Sequence, residues 1–294
     1  MTMFITIIVT AGKTLALIAC APLVSGFIRK VKNFLRMRQG PGVLQPYYNI
    51  LKLFSKGEIV SKTTSWVFAA TPAIVFAASV SALVIVLAVR PGHFGASGTA
   101  LLIAALFVLG LGRFFLALAG LDAGSSFGGM GSSREMFIST FAEPAAFVSV
   151  FALGMGSSSH FSISGLMAGA ALFMVAIAET SRIPVDNQET HLELTMVHEA
   201  MVLEYSGRPL ALIELASYVK QMIFFVVLSW YIFPTLGTAC YGWAVFPVEV
   251  AIIALAIAFI EISVTKMRLF RVVDFLSFSF FIALAASIAA ALGL

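Results

Sequence analysis

The chain is poor in cysteine, and this scarcity limits the chemistry that it can carry out alone. Its two cysteines, Cys20 and Cys240, lie in or beside different apolar regions. They form neither a CxxC pair nor a spacing typical of metal sites. An iron–sulfur cluster is usually held by a larger set of cysteine thiolates than this pair. The sequence therefore excludes an iron–sulfur cluster or a cysteine-ligated metal centre of its own, and we assign both cysteines to packing.

Charge is also scarce. Charged residues make up 11% of the chain and hydrophobic residues 60%, and the mean hydropathy is +1.02. This composition lies far outside the range of soluble domains and indicates that the protein surface faces lipid. Within lipid a backbone must satisfy its own hydrogen bonds, so it spans as helices or as a closed barrel. The apolar runs are continuous rather than alternating, which predicts an all-α polytopic membrane protein.

Each transmembrane helix needs about 20 apolar residues, and the apolar runs predict about eight helices. The first run has its basic flank behind it rather than in front, so we expect a retained span and not a cleaved signal peptide. The predicted spans are roughly 4–27, 66–89, 99–121, 136–155, 163–180, 210–233, 247–264 and 273–293.

The long connection after the first span contains a second kind of helix. In QPYYNILKLFSK, apolar side chains recur at helical spacing, while Lys52 and Lys56 lie on another face. This pattern predicts a short amphipathic helix that lies in the membrane interface. The apolar positions are Tyr47, Ile50, Leu51 and Phe54.

The basic residues predict the orientation of the chain. Fourteen of the eighteen lysines and arginines fall in the connections after odd-numbered spans, and the positive-inside rule assigns these connections to the cytoplasm. Both termini are then expected on the outer face of a single integral membrane domain, 1–294. The net charge of +4 therefore reports topology and does not indicate nucleic-acid binding. The predicted cytoplasmic loops are about 28–65, 122–135, 181–209 and 265–272.

Acidic residues concentrate in one part of the chain. Seven of the fourteen carboxylates lie between Glu179 and Glu214, at the end of the fifth span and in the loop that follows it. The stretch NQETHLELTMVHEAM contains candidate metal ligands, but it is not an HExxH motif and its two histidines are seven residues apart. We interpret it as a polar surface that meets a soluble partner, and we predict no metal site.

Several ionisable residues lie inside predicted spans, where they are costly and usually functional. Two interpretations are open. The acids could form buried ion pairs with Arg113, Arg134 or Lys220, or some of them could remain unpaired and pass protons. Because carboxylates outnumber the cations along spans four to six, we favour a proton relay. The intramembrane candidates are Lys13, Arg113, Glu143, Glu179, Glu214, Lys220 and Glu261, with Glu249 and Asp274 near span ends.

Two segments carry a resemblance to a known family. AETSRIPVDNQETHLEL…VLEYSG resembles the hallmark segment of the membrane subunit of respiratory complex I that adjoins the peripheral arm, NADH dehydrogenase subunit 1. RQGPG…LQPYYNILKLFSKGE resembles the first cytoplasmic loop of the same family. The resemblance covers nearly the whole chain and rests on a specific combination of motifs.

Two departures from that family favour one of its branches. After RQGPG the chain continues directly with VLQP, without several residues that are expected in quinone-reducing members. GLDAGSSFGGMGSSREMFISTFAEP is similar to the homologous subunit of energy-converting, membrane-bound nickel–iron (NiFe) hydrogenases, which include formate hydrogenlyase and hydrogenase-4. The sequence therefore resembles the hydrogenase branch most.

The resemblance implies a proton path made of acidic side chains. Glu143 matches the glutamate of the family's fourth span, and Glu179 matches the glutamate of AET. Ser217 stands where the family has a glutamate, and Glu214 lies three residues earlier on a neighbouring part of the same helix face, as a candidate to replace it. The implied path comprises Glu143, Glu179, Asp186, Glu193, Glu204, Glu214 and Lys220.

The resemblance also implies a docking surface for a soluble partner. Arg36, Arg38 and the turn that follows them match the loop beneath the quinone cavity of complex I. The implied docking or cavity-wall residues are Arg36, Arg38, Gly40, Pro41, Gly42, Arg134, Glu135, Arg182 and Glu189.

The function implied by the resemblance is that of a membrane anchor and coupling subunit in a multisubunit energy-converting hydrogenase, which links redox chemistry to the translocation of protons or sodium ions. No catalytic residue and no cofactor is assigned to this chain. The NiFe centre and iron–sulfur clusters are expected in partner large and small hydrogenase subunits, with antiporter-like membrane subunits and the prokaryotic cytoplasmic membrane as the other surroundings. The alternatives are the quinone-site subunit of a complex I-type oxidoreductase and, from a different class, a stand-alone secondary transporter, although no internal repeat is evident.

Overall fold

A computed structural model describes residues 2–61, 64–89, 96–155, 162–186, 196–232 and 242–293, with side chains from residue 8 and, in the last segment, from residue 245. The regular structure in these ranges is helical, and they contain no strand. The helices are α1 (Thr2–Leu35), α2 (Gln45–Phe54), α3 (Trp66–Ala88), α4 (Ala96–Asp122), α5 (Ser126–Met155), α6 (Ile163–Glu179), α7 (His198–Val202), α8 (Gly207–Ile232), α9 (Gly242–Ser263) and α10 (Leu269–Ala291).

Eight of these helices match the eight predicted spans. Within the described residues, seven are long and apolar enough to cross a membrane. The eighth, α6, is apolar but has 17 residues. At 1.5 Å per residue it is about 25 Å long, which is close to the lower limit for a span. The predicted all-α polytopic architecture is confirmed.

The boundary between α4 and α5 differs most from the prediction. The sequence placed a loop at 122–135, whereas α5 begins at Ser126 and only residues 123–125 connect the two helices. Glycines allow the helices to cross closely here, since a Cβ on Gly128 would lie 2.3 Å from the carbonyl oxygen of Gly120. Small residues permit such backbone contact between membrane helices. The hydropathy of this segment is therefore low because its small residues pack helix against helix, and not because the segment is a loop.

Helix α8 occupies the centre of the bundle. In the most apolar 18-residue stretch of α8, 67% of the residues are buried, against 28–44% in the corresponding stretches of the other six long helices. It packs against α1, α2, α3, α6 and α9, while α10 covers α5 and α6 on another side. Phe225 and Leu228 are fully buried in the largest core cluster. Polar residues on α8 therefore project between neighbouring helices rather than into lipid.

The interfacial helix is present as α2. Pro46 occupies the first turn of α2, where its missing N–H has no intrahelical partner to lose. Ile50 is buried, whereas Leu51 is 65% exposed, so one apolar face packs on α1 and α8 and another faces outward. The Tyr47 hydroxyl donates a hydrogen bond to the Ala19 carbonyl and ties α2 to α1. This arrangement suits a helix that lies flat against the bilayer surface.

Candidate functional site

A buried arginine on α4 joins three acidic side chains from two other helices. Arg113 is 8% exposed. Its Nη1 lies 2.8 Å from Oε1 of Glu143 and its Nε lies 3.8 Å from Oε1 of Glu135, both on α5. Its Nη2 donates to Oε2 of Glu179, the last residue of α6. One guanidinium therefore connects α4, α5 and α6 within the apolar bundle.

A second cation reaches the same acid from the central helix. Lys220 of α8 places its Nζ 2.9 Å from Oε2 of Glu179, so this carboxylate lies between two cations. We call the group of Arg113, Glu135, Glu143, Glu179 and Lys220 the Arg113 cluster. When all five side chains are ionised, its three carboxylates outnumber its two cations. The cluster can therefore accept a proton and approach neutrality.

The carboxylates of this cluster differ sharply in exposure. The side chain of Glu179 is 5% exposed, whereas that of Glu143 is 41% exposed, although it lies in the middle of α5. Glu179 is held inside the bundle by its cations, and Glu143 opens toward the bundle's outer surface. The cluster therefore runs laterally from the bundle interior to a face that lipid or another membrane protein covers.

A cavity with both polar and apolar walls lies beside the cluster and has a volume of about 60 Å³. This volume has room for about four to six waters, at roughly 10–15 Å³ each. The Nε of Arg113 and the Nε2 of Gln221, which both belong to lining residues, are buried and have no hydrogen-bond partner among the described residues. Such donors are normally satisfied by water, so the cavity is suited to hydration. Other polar lining residues include Ser25, Ser79, His198 and Ser217.

A second buried ion cluster joins the first helix to the ninth. Oε1 of Glu261 on α9 lies 2.7 Å from Nη1 of Arg182, and its Oε2 lies 3.0 Å from Nζ of Lys32 on α1. The Nη2 of Arg182 donates to Oε1 of Gln221 on α8 at 2.9 Å. All four side chains are buried. We call this group the Glu261 cluster.

The two clusters are adjacent along two segments of the chain. Lys220 and Gln221 are consecutive on α8, and each belongs to a different cluster. Glu179 and Arg182 are three residues apart at the end of α6. Glu179 belongs to the Arg113 cluster and Arg182 to the Glu261 cluster. A change in the charge of one cluster therefore alters the electrostatic potential at the other, which is close by.

Asp186 of the AET…D motif organises the loop beyond α6. One of its oxygens lies 2.7 Å from Nζ of Lys266, and the other accepts hydrogen bonds from the backbone N–H groups of Val197 and His198 at 3.2 Å. A carboxylate at this position compensates the free N–H groups at the start of α7. The motif aspartate thus links three parts of the chain rather than joining the Arg113 cluster.

The tyrosine of the VLEY motif anchors the start of α3. The Tyr205 hydroxyl donates to the carbonyl oxygen of Phe68 at 2.9 Å, and the two rings stack with centroids 4.0 Å apart. Asp122 accepts bonds from the backbone N–H groups of Ser65 and Phe68 at the same helix end. Burial raises the pKa of the Tyr205 phenol, so it remains a hydrogen-bond donor at neutral pH.

Replacing Tyr205 by phenylalanine is expected to lower the free energy of unfolding by about 1 kcal/mol, because Phe68 loses one hydrogen bond while the ring stack remains. The measurement is thermal unfolding of the purified protein in detergent. The matched control is Tyr48→Phe, since Tyr48 is 62% exposed. An equal change in Tm for both variants would count against an anchoring role.

The structure brings together only some of the predicted proton-path residues. Glu143, Glu179 and Lys220 meet in the Arg113 cluster, as does Glu135, which was predicted as a docking or cavity-wall residue. Asp186 binds Lys266, Glu204 is exposed, and Glu189 and Glu193 lie outside the described residues.

The Glu214 hypothesis meets a difference in placement. Ser217 lines the cavity, whereas Glu214 is not among the cavity-lining residues and is under the electrostatic influence of Glu199 and Arg29. The Ser217 hydroxyl donates to the Glu214 carbonyl oxygen. The hydroxyl of Ser217, and not the carboxyl of Glu214, therefore occupies the cavity wall.

The predicted docking residues divide into exposed and internal groups. Arg36, Arg38, Pro41 and Gly42 are exposed after α1. Arg134 donates to the Met196 carbonyl at 3.0 Å. Arg182 is 6% exposed and forms an ion pair with Glu261, so its side chain lies inside the bundle.

Of the two interpretations of the intramembrane acids, the structure shows ion pairs for Glu143 and Glu179: both contact Arg113, and Glu179 also contacts Lys220. The pairing of Glu261 with Lys32 and Arg182 was not predicted. Lys32 was counted only among the charges that set the topology, although it lies on a buried face of α1, which continues to Leu35. Its partner lies 229 residues away, which no local pattern indicates.

The protein belongs to the multi-span membrane proteins with intramembrane charge. Its membrane helices enclose a network of arginine, lysine and glutamate side chains. The sequence model of the family described as NADH dehydrogenase matches residues 6–292 of the chain. The chain therefore belongs to the NADH dehydrogenase family, and the resemblance inferred from its motifs is confirmed.

Curated relatives include two hydrogenase components of Escherichia coli. Hydrogenase-4 component C is 30% identical over 232 residues, which cover 74% of this chain and 72% of the relative. Formate hydrogenlyase subunit 4 is 28% identical, with 87% and 90% covered. A subunit of the NADH-quinone oxidoreductase of Rubrobacter xylanophilus is 24% identical, with 84% and 82% covered. Together with the apolar helices, these relatives identify an integral membrane protein.

The fold also occurs in a solved respiratory complex. A chain in the archaeal membrane-bound sulfane sulfur reductase superposes with a TM-score of 0.77 and 17% sequence identity, covering 96% of this chain and 98% of that chain. At this identity the similarity concerns the fold alone.

Proposed function

We propose that this chain is the membrane anchor and coupling subunit of an energy-converting NiFe hydrogenase complex of the formate hydrogenlyase type. The similarity to formate hydrogenlyase subunit 4 over nearly the full length of both chains supports this assignment. So does the higher identity to the two hydrogenase components, at 30% and 28%, than to two quinone-linked relatives, at 24% and 27%.

The observation that carries the proposal is the Arg113 cluster. It extends from a hydratable cavity to Glu143, whose side chain is 41% exposed in mid-span. A carboxyl that faces hydrocarbon is costly, so this face is suited to contact with another membrane subunit. An antiporter-like subunit at this face would receive the charge change that begins in the cavity.

The loops around Ile59 and Ser206 are suited to docking because contacts tie them together. The Ile59 N–H donates to the Ser206 hydroxyl at 2.9 Å, and a Cβ on Gly207 would lie 2.5 Å from the Gly57 carbonyl oxygen. In our proposal this surface faces the cytoplasm, and both termini face the outside of a prokaryotic cytoplasmic membrane. The hydrogenase large and small subunits dock here and supply the NiFe centre and iron–sulfur clusters.

The proposed coupling begins with electron transfer in the docked module. This step changes the loop at 181–208 and the protonation of Glu193 and Glu204, and the change passes through Glu179 to Glu143. The hydratable cavity beside Glu179 supports this order, because water can carry protons between the loop and the cluster.

A second candidate function is that of the quinone-site subunit of a complex I-type oxidoreductase. The similarity to an NADH-quinone oxidoreductase subunit and the polar cavity favour it. The short loop after RQGPG favours the hydrogenase branch. Tight, saturable binding of a quinone-site inhibitor to the purified complex would support the second candidate.

The direct test is the identity of the subunits that co-purify with this chain. We expect an affinity-tagged chain, extracted from native membranes in mild detergent, to bring down a large subunit with bound nickel and an iron–sulfur subunit. Metal analysis and peptide mass spectrometry provide the measurement, with an untagged strain as the control. Recovery of a monodisperse single chain that transports a solute would overturn the proposal.

A further inference from the structure

An isolated acid lies on α9, away from both ion clusters. Glu249 is 4% exposed and lies about two turns inside the start of α9 at Gly242. It is twelve residues before Glu261 on the same helix, which places it about 18 Å farther along the axis. The sequence places this acid near the end of a predicted span, whereas the structure places it within the helix and against α8.

The surroundings of Glu249 differ from those of the other buried acids. Glu179 and Glu261 each contact two cations, but no lysine or arginine of the described residues forms an ion pair with Glu249. Its Oε1 is buried and has no hydrogen-bond partner in the part of the chain that the structure describes. The Ser229 hydroxyl of α8 is a polar group that interacts with the carboxyl group. An ionised carboxylate is costly in such a place.

The Ser229 hydroxyl can offer Glu249 little compensation. A hydroxyl has a single proton, and the Val226 carbonyl oxygen, 2.9 Å from the Ser229 hydroxyl oxygen, competes for it. Within the described residues, Oε1 of Glu249 has no donor at all, so a negative charge on this carboxyl group would be left without compensation.

We propose that Glu249 is a proton-binding site in the α8–α9 interface, separate from the motif acids, and that it is a carboxylic acid at neutral pH. This assignment does not depend on the proposed function of the complex. It also makes Glu249 a reactive site for apolar carbodiimides, which modify protonated carboxyl groups. The carboxyl proton adds to a carbodiimide nitrogen, the carboxyl oxygen adds to the central carbon, and the product rearranges to an N-acylurea without another reactant.

The test is labelling of the full-length protein in native membranes with dicyclohexylcarbodiimide, followed by peptide mass spectrometry. We expect an adduct on Glu249 and background labelling on Glu261, which serves as the internal control because its carboxylate contacts both Lys32 and Arg182. Glu249→Gln should reduce the label on that peptide to background. Equal labelling of Glu249 and Glu261 would overturn the proposal, as would protection of Glu249 by sodium ions at constant pH, which would indicate a metal-cation site.

An infrared measurement keeps the test independent of reagent access. The difference spectrum between the wild type and Glu249→Gln should contain the C=O stretch of a protonated carboxyl group, with a shift in deuterated water. Ser229→Ala should move this band, because the carboxyl loses the hydroxyl beside it, while the band remains present. If the difference spectrum contains a carboxylate band instead, Glu249 is ionised and the proposal fails.

Discussion

Replacing Arg113 by leucine is expected to remove most of the protein from the membrane. The substitution leaves Glu179 with one cation and deprives Glu135 and Glu143 of theirs. Breaking a buried ion pair by removing one partner costs about 3–5 kcal/mol. Because natural domains have a stability of roughly 5–15 kcal/mol, a loss of this size affects accumulation. The measurement is the amount of chain in membranes, together with the Tm of any purified fraction.

The matched variant for this prediction is Arg113→Lys. Lysine keeps the positive charge but offers a point charge instead of a planar fork, so it cannot hold Glu143 and Glu179 in the same geometry. We expect accumulation between that of the wild type and that of Arg113→Leu. A leucine variant with wild-type accumulation and Tm would show that the cluster does not stabilise the bundle.

Replacing Glu143 by glutamine is expected to separate assembly from coupling. Glutamine has nearly the same shape, and its oxygen still accepts a hydrogen bond from Arg113, so the bundle and its partners should assemble as in the wild type. It cannot carry a proton, however. We expect coupled proton translocation to fall to less than roughly a tenth of the wild-type value, which corresponds to a rise of at least about 1.4 kcal/mol in the effective barrier.

The measurement is acidification of inverted membrane vesicles during turnover of the complex, with subunit content determined on the same preparation. Glu143→Asp, which retains a titratable group, is the control and should keep more of the activity. Glu179→Gln should behave like Glu143→Gln, although the loss of one buried charge lowers its Tm as well. Full proton-coupled turnover in both glutamine variants would exclude the acidic path from the mechanism.

The helices could be predicted from hydropathy, but their ends could not. Apolar length reports the thickness of hydrocarbon that a segment crosses, whereas a helix ends where its backbone hydrogen bonds end. Helix α1 therefore continues to Leu35 through a basic segment, and α5 begins at Ser126 in a run of small polar residues. In the second case the reason is the close approach of Gly128 to Gly120, which is a property of two helices together.

For the candidate site, the acids could be identified from the sequence, with Arg113 and Lys220 among their possible partners, but each acid could not be assigned its cation. The motif acids could be recognised individually, and the excess of carboxylates over cations was visible. Which cation serves which acid depends on contacts between residues that are 22 to 229 positions apart, such as Arg113 with Glu135 and Lys32 with Glu261. Those contacts also explain why Glu249, which resembles the other intramembrane acids in sequence, differs from them chemically.

The bond between Lys32 and Glu261 has a consequence for biosynthesis. Glu261 is made 229 residues after Lys32, an interval of about 10–50 s at synthesis rates of roughly 5–20 residues per second. During this time α1 can enter the bilayer, but Lys32 must direct its ammonium group to the headgroups, as long basic side chains do at helix ends. The first helix therefore reaches its final position only after the ninth has been inserted. In a nascent chain that stops before α9, the side of α1 that carries Lys32 remains uncovered.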